Sequence, residues 1–226
     1  MIRALSHLRM GAAVVLAAAA PVLFAGATAA LVGAEAAEVA AAKKLIEAGR
    51  QEEAITILQS TCSGRAHDLV PHFYLGYCYG ETGRLEEARR EYETCARCDP
   101  DRAEVYYNLG VILNKQGLYL SAAGAFEEAL LLDPGLADAN FNCGLSYYYA
   151  DKPVQAIKFY REARALVPDD VAVLYWLALA YEEIDQRVAL SIWEDYLGQT
   201  VNVATEGPNL EFARSHIAAL RAGKKP

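Results

Sequence analysis

Cysteine is the residue type with the most specific chemistry in this chain. Five are present, and Cys95-Ala-Arg-Cys98 has the spacing that redox and metal sites share. Thioredoxin-type chemistry requires this motif beside a strand–helix–strand unit, and no such pattern surrounds it. Residue 99 is aspartate, so the histidine of a haem-attachment motif is also missing. We therefore predict neither redox catalysis nor a metal site at this motif.

Disulfide formation is the second chemistry open to the cysteines. Because five is an odd number, at least one thiol must stay unpaired. Cys143 occupies an apolar position of a helical stripe, so we expect it to be a buried thiol. Cys62 and Cys78 are expected on neighbouring helices, where a bridge between them is feasible. A disulfide and plain packing of the thiols are both open alternatives for Cys62, Cys78, Cys95 and Cys98.

The histidines and acidic residues form no recognisable catalytic pattern. His72 is expected on a packing stripe, His67 in a loop and His216 at the surface. The acidic pair Glu182-Glu183 is expected to be solvated. The sequence contains no Gly-x-Ser-x-Gly, no His-Glu-x-x-His and no phosphate-binding glycine loop. We predict a protein that is not an enzyme and that uses no cofactor and no metal.

Charge and composition exclude two further classes. The 226 residues include 21 Lys plus Arg and 29 Asp plus Glu, which gives a net charge of −8. Nucleic-acid binding needs a basic surface, and the sequence has no basic excess to build one, so we predict no nucleic-acid partner. Hydrophobic residues make up 54% of the chain, which is too many for a disordered protein.

The N-terminus has the features of a targeting segment. Arg3 and Arg9 precede residues 10–34, a run of 25 without a charge. The small residues at 27–29 and 32–34 fit signal-peptidase sites. We predict that residues 1–34 are a cleaved export signal or, alternatively, a retained membrane anchor. Either places the remainder outside the cytoplasm, in the bacterial periplasm, soluble or tethered to the inner membrane through residues 10–34.

A repeat of 34 residues organises the rest of the chain. Gly76, Gly110 and Gly144 are spaced at this interval, and three further columns keep the same step. These are an alanine column, a column of large apolar residues and a proline column: Ala54, Ala88, Ala122 and Ala156; Leu58, Tyr92, Phe126 and Tyr160; Pro100, Pro134 and Pro168.

Each repeat is predicted to contain two helices. Tyr106, Leu109, Gly110 and Leu113 follow the i, i+3, i+4, i+7 spacing of one helix face, and the other repeats have the same pattern. The small residue of the first helix is expected against the ring of the second. A larger side chain at Gly110 should therefore cost roughly 1–3 kcal/mol by overpacking.

The turns and ends of these helices are also marked. Gly83 and Gly117 stand between the paired helices, where a left-handed residue is needed, and Asp151 and Asp185 occupy the next two such places. The prolines disfavour a helical residue before them and should end each second helix. After a loop, Asn209–Ala222 is predicted as a final helix with Asn209 as its N-cap.

This pattern resembles the tetratricopeptide repeat, in which Trp-x-x-Leu-Gly-x-x-Tyr, Ala-x-x-x-Phe and Pro recur every 34 residues. The resemblance implies an all-α fold, a right-handed α-solenoid of about five helix-turn-helix units with a C-terminal capping helix. In the fifth unit the pattern slips by one residue, so that Ala189 and Trp193 take the small and ring positions. The predicted units are 35–68, 69–102, 103–136, 137–170 and 171–199, which form a solenoid over 35–199 that is capped by 209–222.

The resemblance also implies that the first helix of each repeat lines a concave groove. Positions one residue beyond the packing stripe are rich in aromatic side chains, which on exposed surfaces often mark partner sites. The alternative is that half of these rings pack between neighbouring repeats. The predicted partner-binding residues are Phe73, Tyr77, Tyr107, Asn108, Val111, Asn114, Phe141, Asn142, Leu145, Tyr148, Tyr149 and Tyr175.

Some family members hold a C-terminal carboxylate with lysine, asparagine and arginine side chains in this groove. The corresponding positions here include Phe73, Tyr77 and Asp138, so the cationic residues are missing. We expect instead an apolar or aromatic partner segment whose backbone bonds to the amides of Asn108 and Asn142.

The predicted function is an exported, non-catalytic adaptor or scaffold that binds a protein or peptide partner in its aromatic groove. The alternative is a membrane-anchored subunit of a larger cell-envelope complex that keeps residues 10–34 as an uncleaved helix. No oligomeric state is predicted.

Overall fold

The computed structural model describes residues 34–62, 69–200, 208–224 and 226. The predicted targeting segment, apart from residue 34, lies outside the described residues. In these ranges all regular secondary structure is α-helical. The helices are α1 (Ala34–Glu47), α2 (Gln51–Cys62), α3 (Leu69–Glu81), α4 (Leu85–Cys98), α5 (Ala103–Lys115), α6 (Tyr119–Leu132), α7 (Ala137–Tyr149), α8 (Pro153–Leu166), α9 (Val171–Glu182), α10 (Gln186–Thr200) and α11 (Pro208–Arg221).

The predicted all-α class of repeated helical hairpins is confirmed. Helices pack as consecutive pairs, α1 with α2, α3 with α4, and so on to α9 with α10, after which α11 packs against α10. The chain divides into two compact units, the first ending at Leu132 and the second beginning at Asp133. The first unit contains α1–α6 and the second contains α7–α11.

In the first unit, the hairpins α3–α4 and α5–α6 each close through a glycine that faces a ring, as predicted. A methyl group added at Gly76 would lie 2.9 Å from Cζ of Tyr92, and one at Gly110 would lie 2.7 Å from Cε1 of Phe126. Both rings are fully buried. The helix axes therefore approach each other at a distance that only a residue without a side chain permits.

The second unit repeats this arrangement and then varies it. A methyl group at Gly144 would lie 2.6 Å from Cδ1 of Tyr160. In the last hairpin Ala178 takes the place of the glycine, and Ala189 and Trp193 are fully buried on α10. The one-residue slip that was predicted for this repeat thus places the larger indole in the core.

Left-handed residues form the turns inside four hairpins. Gly49, Gly83 and Gly117 have φ angles of 73°, 79° and 77°, and Asp151 occupies the same turn with φ 58°. Because a Cβ atom is strained in this region, glycine is the favoured residue and aspartate one of the few tolerated alternatives.

The prediction that Asp185 is the fifth-repeat equivalent of these turn residues is wrong. Within the described residues, Asp151 is the non-glycine residue with positive φ. The Asp185 carboxylate instead accepts hydrogen bonds from the backbone N–H groups of Arg187 and Val188, at 2.9 and 3.3 Å. Asp185 is therefore the N-cap of α10, a role that the one-residue slip of this repeat makes available.

The helix ends follow the predicted proline positions. Asp99 and Val167, which precede prolines, have φ angles of −143° and −131° and lie just beyond α4 and α8. The final helix begins at Pro208 rather than after Asn209. Proline suits the first helical position, since the backbone N–H that it lacks would have no partner within the helix there. Among the described helices, none combines the length and apolar character that a membrane crossing requires.

Candidate functional site

An aromatic cluster in the second unit is the candidate site. It is built from the end of α7, the middle of α9, the body of α10 and the start of α11. The sequence places rings there because helices α7, α9 and α10 each carry adjacent or i+3 aromatic residues. We define the aromatic cluster as Tyr148, Tyr149, Tyr175, Trp176, Trp193, Tyr196 and Phe212.

Trp176 is the buried centre of one half of the aromatic cluster. Its side chain is only 2% exposed. The rings of Tyr148, Tyr149 and Tyr175 contact it edge-on, with centroid distances of 5.5, 5.8 and 5.7 Å. Edge-to-face contacts of this kind add stability beyond that of area burial alone, about 0.5–1.5 kcal/mol each. The three tyrosines are themselves partly exposed, so the Trp176 ring fixes their positions while part of each ring stays accessible to solvent.

Trp193 is the buried centre of the other half. It is fully buried, and its ring lies 5.2 Å from Tyr175 and 6.0 Å from Phe212. Its indole Nε1–H donates a hydrogen bond of 2.6 Å to the Glu182 carboxylate. A buried indole N–H needs such an acceptor, because leaving it unpaired costs about 1–3 kcal/mol.

Glu182 and His216 differ from their predicted surface roles. The Glu182 side chain is only 9% exposed, and its Oε1 atom also lies 2.7 Å from Nδ1 of His216. The His216 ring stacks on Phe212 at a centroid distance of 3.9 Å. The expectation of a solvated Glu182 and a surface His216 is therefore wrong, since α11 packs on α10 and covers both.

The hydroxyl groups of Tyr148 and Tyr175 are protonated across the physiological pH range. Burial raises the pKa of Tyr175 to about 12, with Tyr196 and Glu182 adding to the effect. Burial, with a smaller contribution from Glu183, raises the pKa of Tyr148 well above its usual value. These groups can therefore act as neutral hydrogen-bond donors to a carbonyl oxygen while their rings contact apolar atoms.

The structure divides the predicted partner-binding residues of the first unit by exposure. Tyr77 on α3 and Asn114 on α5 are partly exposed. Phe73 is buried against Tyr92, and Tyr107 is buried against Phe126. Two more predicted residues of this unit are also buried, which are Asn108 and Val111.

In the second unit, the structure brings three predicted residues together in the aromatic cluster. Tyr148, Tyr149 and Tyr175 surround Trp176. Phe141 is partly exposed and lies 5.9 Å from the Tyr160 ring, outside this cluster. The other two predicted residues, Asn142 and Leu145, are buried. A role in partner binding stays a prediction for every residue in both units.

Sequence reasoning missed the residues that support the site. Trp176 stands next to Tyr175 but belongs to neither the packing stripe nor the predicted groove positions. Phe212 lies in the final helix, which was expected only to cap the stack. A signal was present in the sequence, since all five residues at positions 147–149 and 175–176 are aromatic.

The structure holds all five cysteines as thiols. Cys78, Cys95 and Cys143 are buried, which confirms the expectation for Cys143. The Cys95 thiol donates to the Leu69 carbonyl at 3.6 Å, and Cys62 lies beside His72. In the described part of the chain, no group of three or more histidine, cysteine or acidic residues is arranged to hold a metal ion.

Comparisons with known families find the repeat of the sequence analysis. One model, described as TPR repeat, matches residues 76–117. Two further models, each described as tetratricopeptide repeat, match residues 103–136 and 143–198. No curated protein sequence matches the chain significantly.

Solved structures with a similar fold are repeat proteins of low sequence identity. A crystal structure of MamA is 23% identical, covers 72% of this chain and 96% of its own, and superposes with a TM-score of 0.69. MamA residues 41 to the end from Desulfovibrio magneticus RS-1 is 19% identical, covers 76% and 99%, and has a TM-score of 0.71. YrrB, described as a TPR protein with an unusual peptide-binding site, is 16% identical, covers 79% and 90%, and has a TM-score of 0.70.

Proposed function

Because the repeats of this chain are tetratricopeptide repeats, we propose that the protein is a non-catalytic scaffold that binds a protein or peptide partner. The observation that carries this proposal is the aromatic cluster of the second unit. Its tyrosines Tyr148, Tyr149 and Tyr175 are partly exposed, while buried Trp176 and Trp193 hold them in place. Rigid aromatic side chains lose little entropy on binding and are enriched among residues that dominate interface energies.

The ligand that this surface suits is an apolar or aromatic segment of a partner. Ring faces of Tyr148, Tyr149 and Tyr175 supply the apolar contacts, and the protonated hydroxyls of Tyr148 and Tyr175 supply donors for backbone carbonyls. YrrB, whose fold is similar, is described as having an unusual peptide-binding site, which supports a peptide as the ligand class.

Export belongs to the same proposal. The charge pattern of Arg3, Arg9 and residues 10–34 favours a cleaved signal and a periplasmic scaffold. The second candidate, a subunit anchored through residues 10–34, follows from the length of the same uncharged run. The intact mass of the protein from its native host separates the two. A mass that begins near Ala30 or Glu35 supports the exported scaffold, and one that includes Met1 supports the anchored subunit.

Site-specific photocrosslinking tests the proposed surface directly. p-Benzoylphenylalanine replaces Tyr149 in the aromatic cluster or, as a matched control, Val154, which is 64% exposed on α8 of the same hairpin. Irradiation in cells should give a discrete crosslinked product from position 149 and none from position 154. Equal products from both positions, or a product from position 154 alone, would place the partner elsewhere.

A second variant tests the contribution of the rings. Tyr148→Ala and Tyr175→Ala together should weaken capture of the crosslinked partner at least tenfold, because hot-spot aromatics contribute about 2 kcal/mol or more each. Val154→Ala should leave capture unchanged. Circular dichroism must show native helix content for both proteins, and unchanged capture by the folded double variant would contradict the proposal.

A further inference from the structure

An open groove lies between α8 and α10 of the second unit. Its volume is about 1000 Å³, at the upper end of the range for ligand sites. Because α9 packs against both α8 and α10, Leu177 and Tyr181 on α9 form the floor, and Val188 and Ile192 line the α10 wall. The residues that line the groove include no member of the aromatic cluster.

The groove is open because α10 carries a smaller side chain than α8 at the equivalent position. On α8, Phe159 stacks on Tyr147 of α7 with a centroid distance of 5.6 Å and an interplanar angle of 10°. With the one-residue slip of the last repeat, the equivalent of Phe159 is Ile192, and the equivalent of Tyr147 is Tyr181. Isoleucine is smaller than phenylalanine, so the space that the stacked rings fill in one hairpin stays open in the next.

Arginine side chains stand on both walls of the groove. Arg161 and Arg164 are three residues apart on α8 and therefore share one face of that helix, and Arg187 stands on α10. Within the described residues, the side chains of Arg161 and Arg187 form no ion pair. Arg164 contacts Asp195 of α10, but its Nη2 atom is 3.8 Å from Oδ2, which is long for such a pair. A guanidinium presents paired N–H donors that fit a carboxylate, so the walls are suited to an acidic ligand.

We propose that this groove binds an acidic peptide segment of a protein partner, with an apolar side chain on the α9 floor and carboxylates on the arginines of the two walls. The inference adds a second surface to the molecule and does not rest on the aromatic cluster. Charge complementarity selects this occupant, because three arginines outnumber two aspartates in the groove of a chain whose net charge is −8. Arginine clusters are a recurring way of recognising acidic peptide motifs.

The size and charge of the groove favour a peptide with carboxylates over a small anion or a phosphate. One small anion fills only a small part of about 1000 Å³. The groove is also lined by Asp169 and Asp195, which repel a doubly charged phosphate more strongly than a singly charged carboxylate. Tyr181 is partly exposed and Val188 is 37% exposed, so an apolar side chain of the ligand gains contact area there.

Fluorescence anisotropy with the folded full-length chain tests the proposal. The probe is the fluorescein-labelled octapeptide Gly-Asp-Glu-Leu-Phe-Glu-Asp-Gly, which should bind saturably at low ionic strength with a Kd below about 1 mM. Two control peptides carry the same label. Replacing the acidic residues by Asn and Gln, or Leu-Phe by Ser-Ser, should weaken binding about tenfold or more. A peptide with phosphoserine on each side of Leu-Phe should bind less tightly, and tighter binding would assign the groove to phosphate instead.

Arginine variants locate the binding site on the protein. Arg187→Gln should weaken binding of the octapeptide about tenfold, since it removes a charged hydrogen-bond donor from the α10 wall. The matched control is Arg214→Gln, which makes the same charge change at an exposed position of α11 outside the groove and should leave binding unchanged. Equal losses in the two variants would show that net charge, and not the groove, attracts the peptide.

A pair of acidic variants tests the same point in the opposite direction. Asp195→Asn releases Arg164 from its partner and should tighten binding about threefold. Glu194→Gln makes the same charge change one residue away, where the carboxylate pairs with Arg221 outside the groove, and should have no effect. Equal gains in both variants would contradict a local site.

Ile192→Phe tests the groove without any change of charge. The added ring should fill the space above Tyr181, as Phe159 does beside Tyr147, and abolish binding. Circular dichroism must show native helix content for every variant. The double variant Tyr148→Ala with Tyr175→Ala should bind the octapeptide normally. Absence of saturable binding to the unaltered chain, full binding by folded Ile192→Phe, or loss of binding in the double tyrosine variant would overturn the proposal.

Discussion

Each of the two compact units places a histidine against a glutamate, and the two pairs have nearly the same geometry. His72 Nδ1 lies 2.6 Å from Glu91 in the first unit, and His216 Nδ1 lies 2.7 Å from Glu182 in the second. Both histidine side chains are 14% exposed. The pairs differ in their third partner, which is the Cys62 thiol in the first unit and the Phe212 and Trp193 rings in the second.

This difference separates a pair beside a titratable thiol from a structural pair that is packed among rings. In the first unit the His72 imidazole bonds to Glu91, and the neighbouring Cys62 thiol and the Glu91 carboxylate raise its pKa. In the second unit the imidazole is stacked between helices, and its glutamate also accepts the indole N–H of Trp193. Similar His–Glu pairs therefore stand in different surroundings, and the group on the far side of the ring is where they differ.

The largest expected effect is on the structural pair. Trp193→Ala should destabilise the protein by about 3–5 kcal/mol, since it empties a fully buried indole site. Trp193→Phe keeps most of the packing but leaves Glu182 with His216 alone, so it should cost less, about 1–3 kcal/mol. Urea denaturation followed by circular dichroism measures both. Equal losses for the two variants would mean that the hydrogen bond, rather than ring volume, dominates.

The next largest expected effect on stability comes from the close approach of the paired helices at Gly110. Gly110→Val should cost about 1–3 kcal/mol, because its side chain would overlap the buried Phe126 ring. The matched control is Gly124→Val on α6, where an added Cβ has no neighbour within 4 Å, and its stability should change by less than about 0.5 kcal/mol. Similar thermal shifts in the two variants would argue against close helix approach at Gly110.

The His72–Glu91 pair should make stability depend on pH. The pKa of His72 is raised from 6.5 to about 10, so the stability that its charge contributes is complete below pH 6.5 and is lost as the pH rises through 10. His72→Gln should therefore destabilise by about 1–2 kcal/mol at pH 6 and by progressively less towards pH 10. Urea midpoints across this range provide the measurement, and a difference that does not vary with pH would show that His72 is uncharged.

The smallest effect concerns the turns of the two units. The first unit has glycine in its left-handed turns, and the second has Asp151 with φ 58°. Asp151→Gly should stabilise by roughly 0.5 kcal/mol, because it removes the Cβ strain at some cost in chain entropy. The reverse change, Gly117→Asp, should destabilise by a similar amount. Thermal midpoints that move in the same direction would show that turn strain is not the deciding factor.

The repeated columns made the backbone predictable. Gly110 opposite Phe126, the helix end before Pro168 and the left-handed Asp151 all follow from residues that recur at the same interval. Periodicity reports what every hairpin needs, which is a small residue, a ring, a turn and a stop. Such requirements are local, so a single sequence contains them in full.

Features that occur once were not predictable in this way. Glu91 is 19 residues from His72, and Glu182 is 34 residues from His216. Neither pair belongs to a repeated column, so each depends on which side chains the packed helices bring together. The one-residue slip of this repeat was recognised at Trp193, but its effect at Asp185 was missed. The slip moves Asp185 from the left-handed turn position to the N-cap of α10.

The position of α11 has a consequence for the order in which the molecule is made. Phe212 and His216 belong to α11, a helix of 14 residues, and both pack on Trp193. Phe212 also contacts Tyr175, and His216 shares the Glu182 carboxylate with the Trp193 indole. During synthesis Tyr175, Glu182 and Trp193 leave the ribosome before α11, and they stay exposed to solvent until that helix has followed. The last hairpin therefore gains its full stability only once α11 has left the ribosome, and a nascent chain stalled just before residue 208 would expose these aromatic rings to chaperones and proteases.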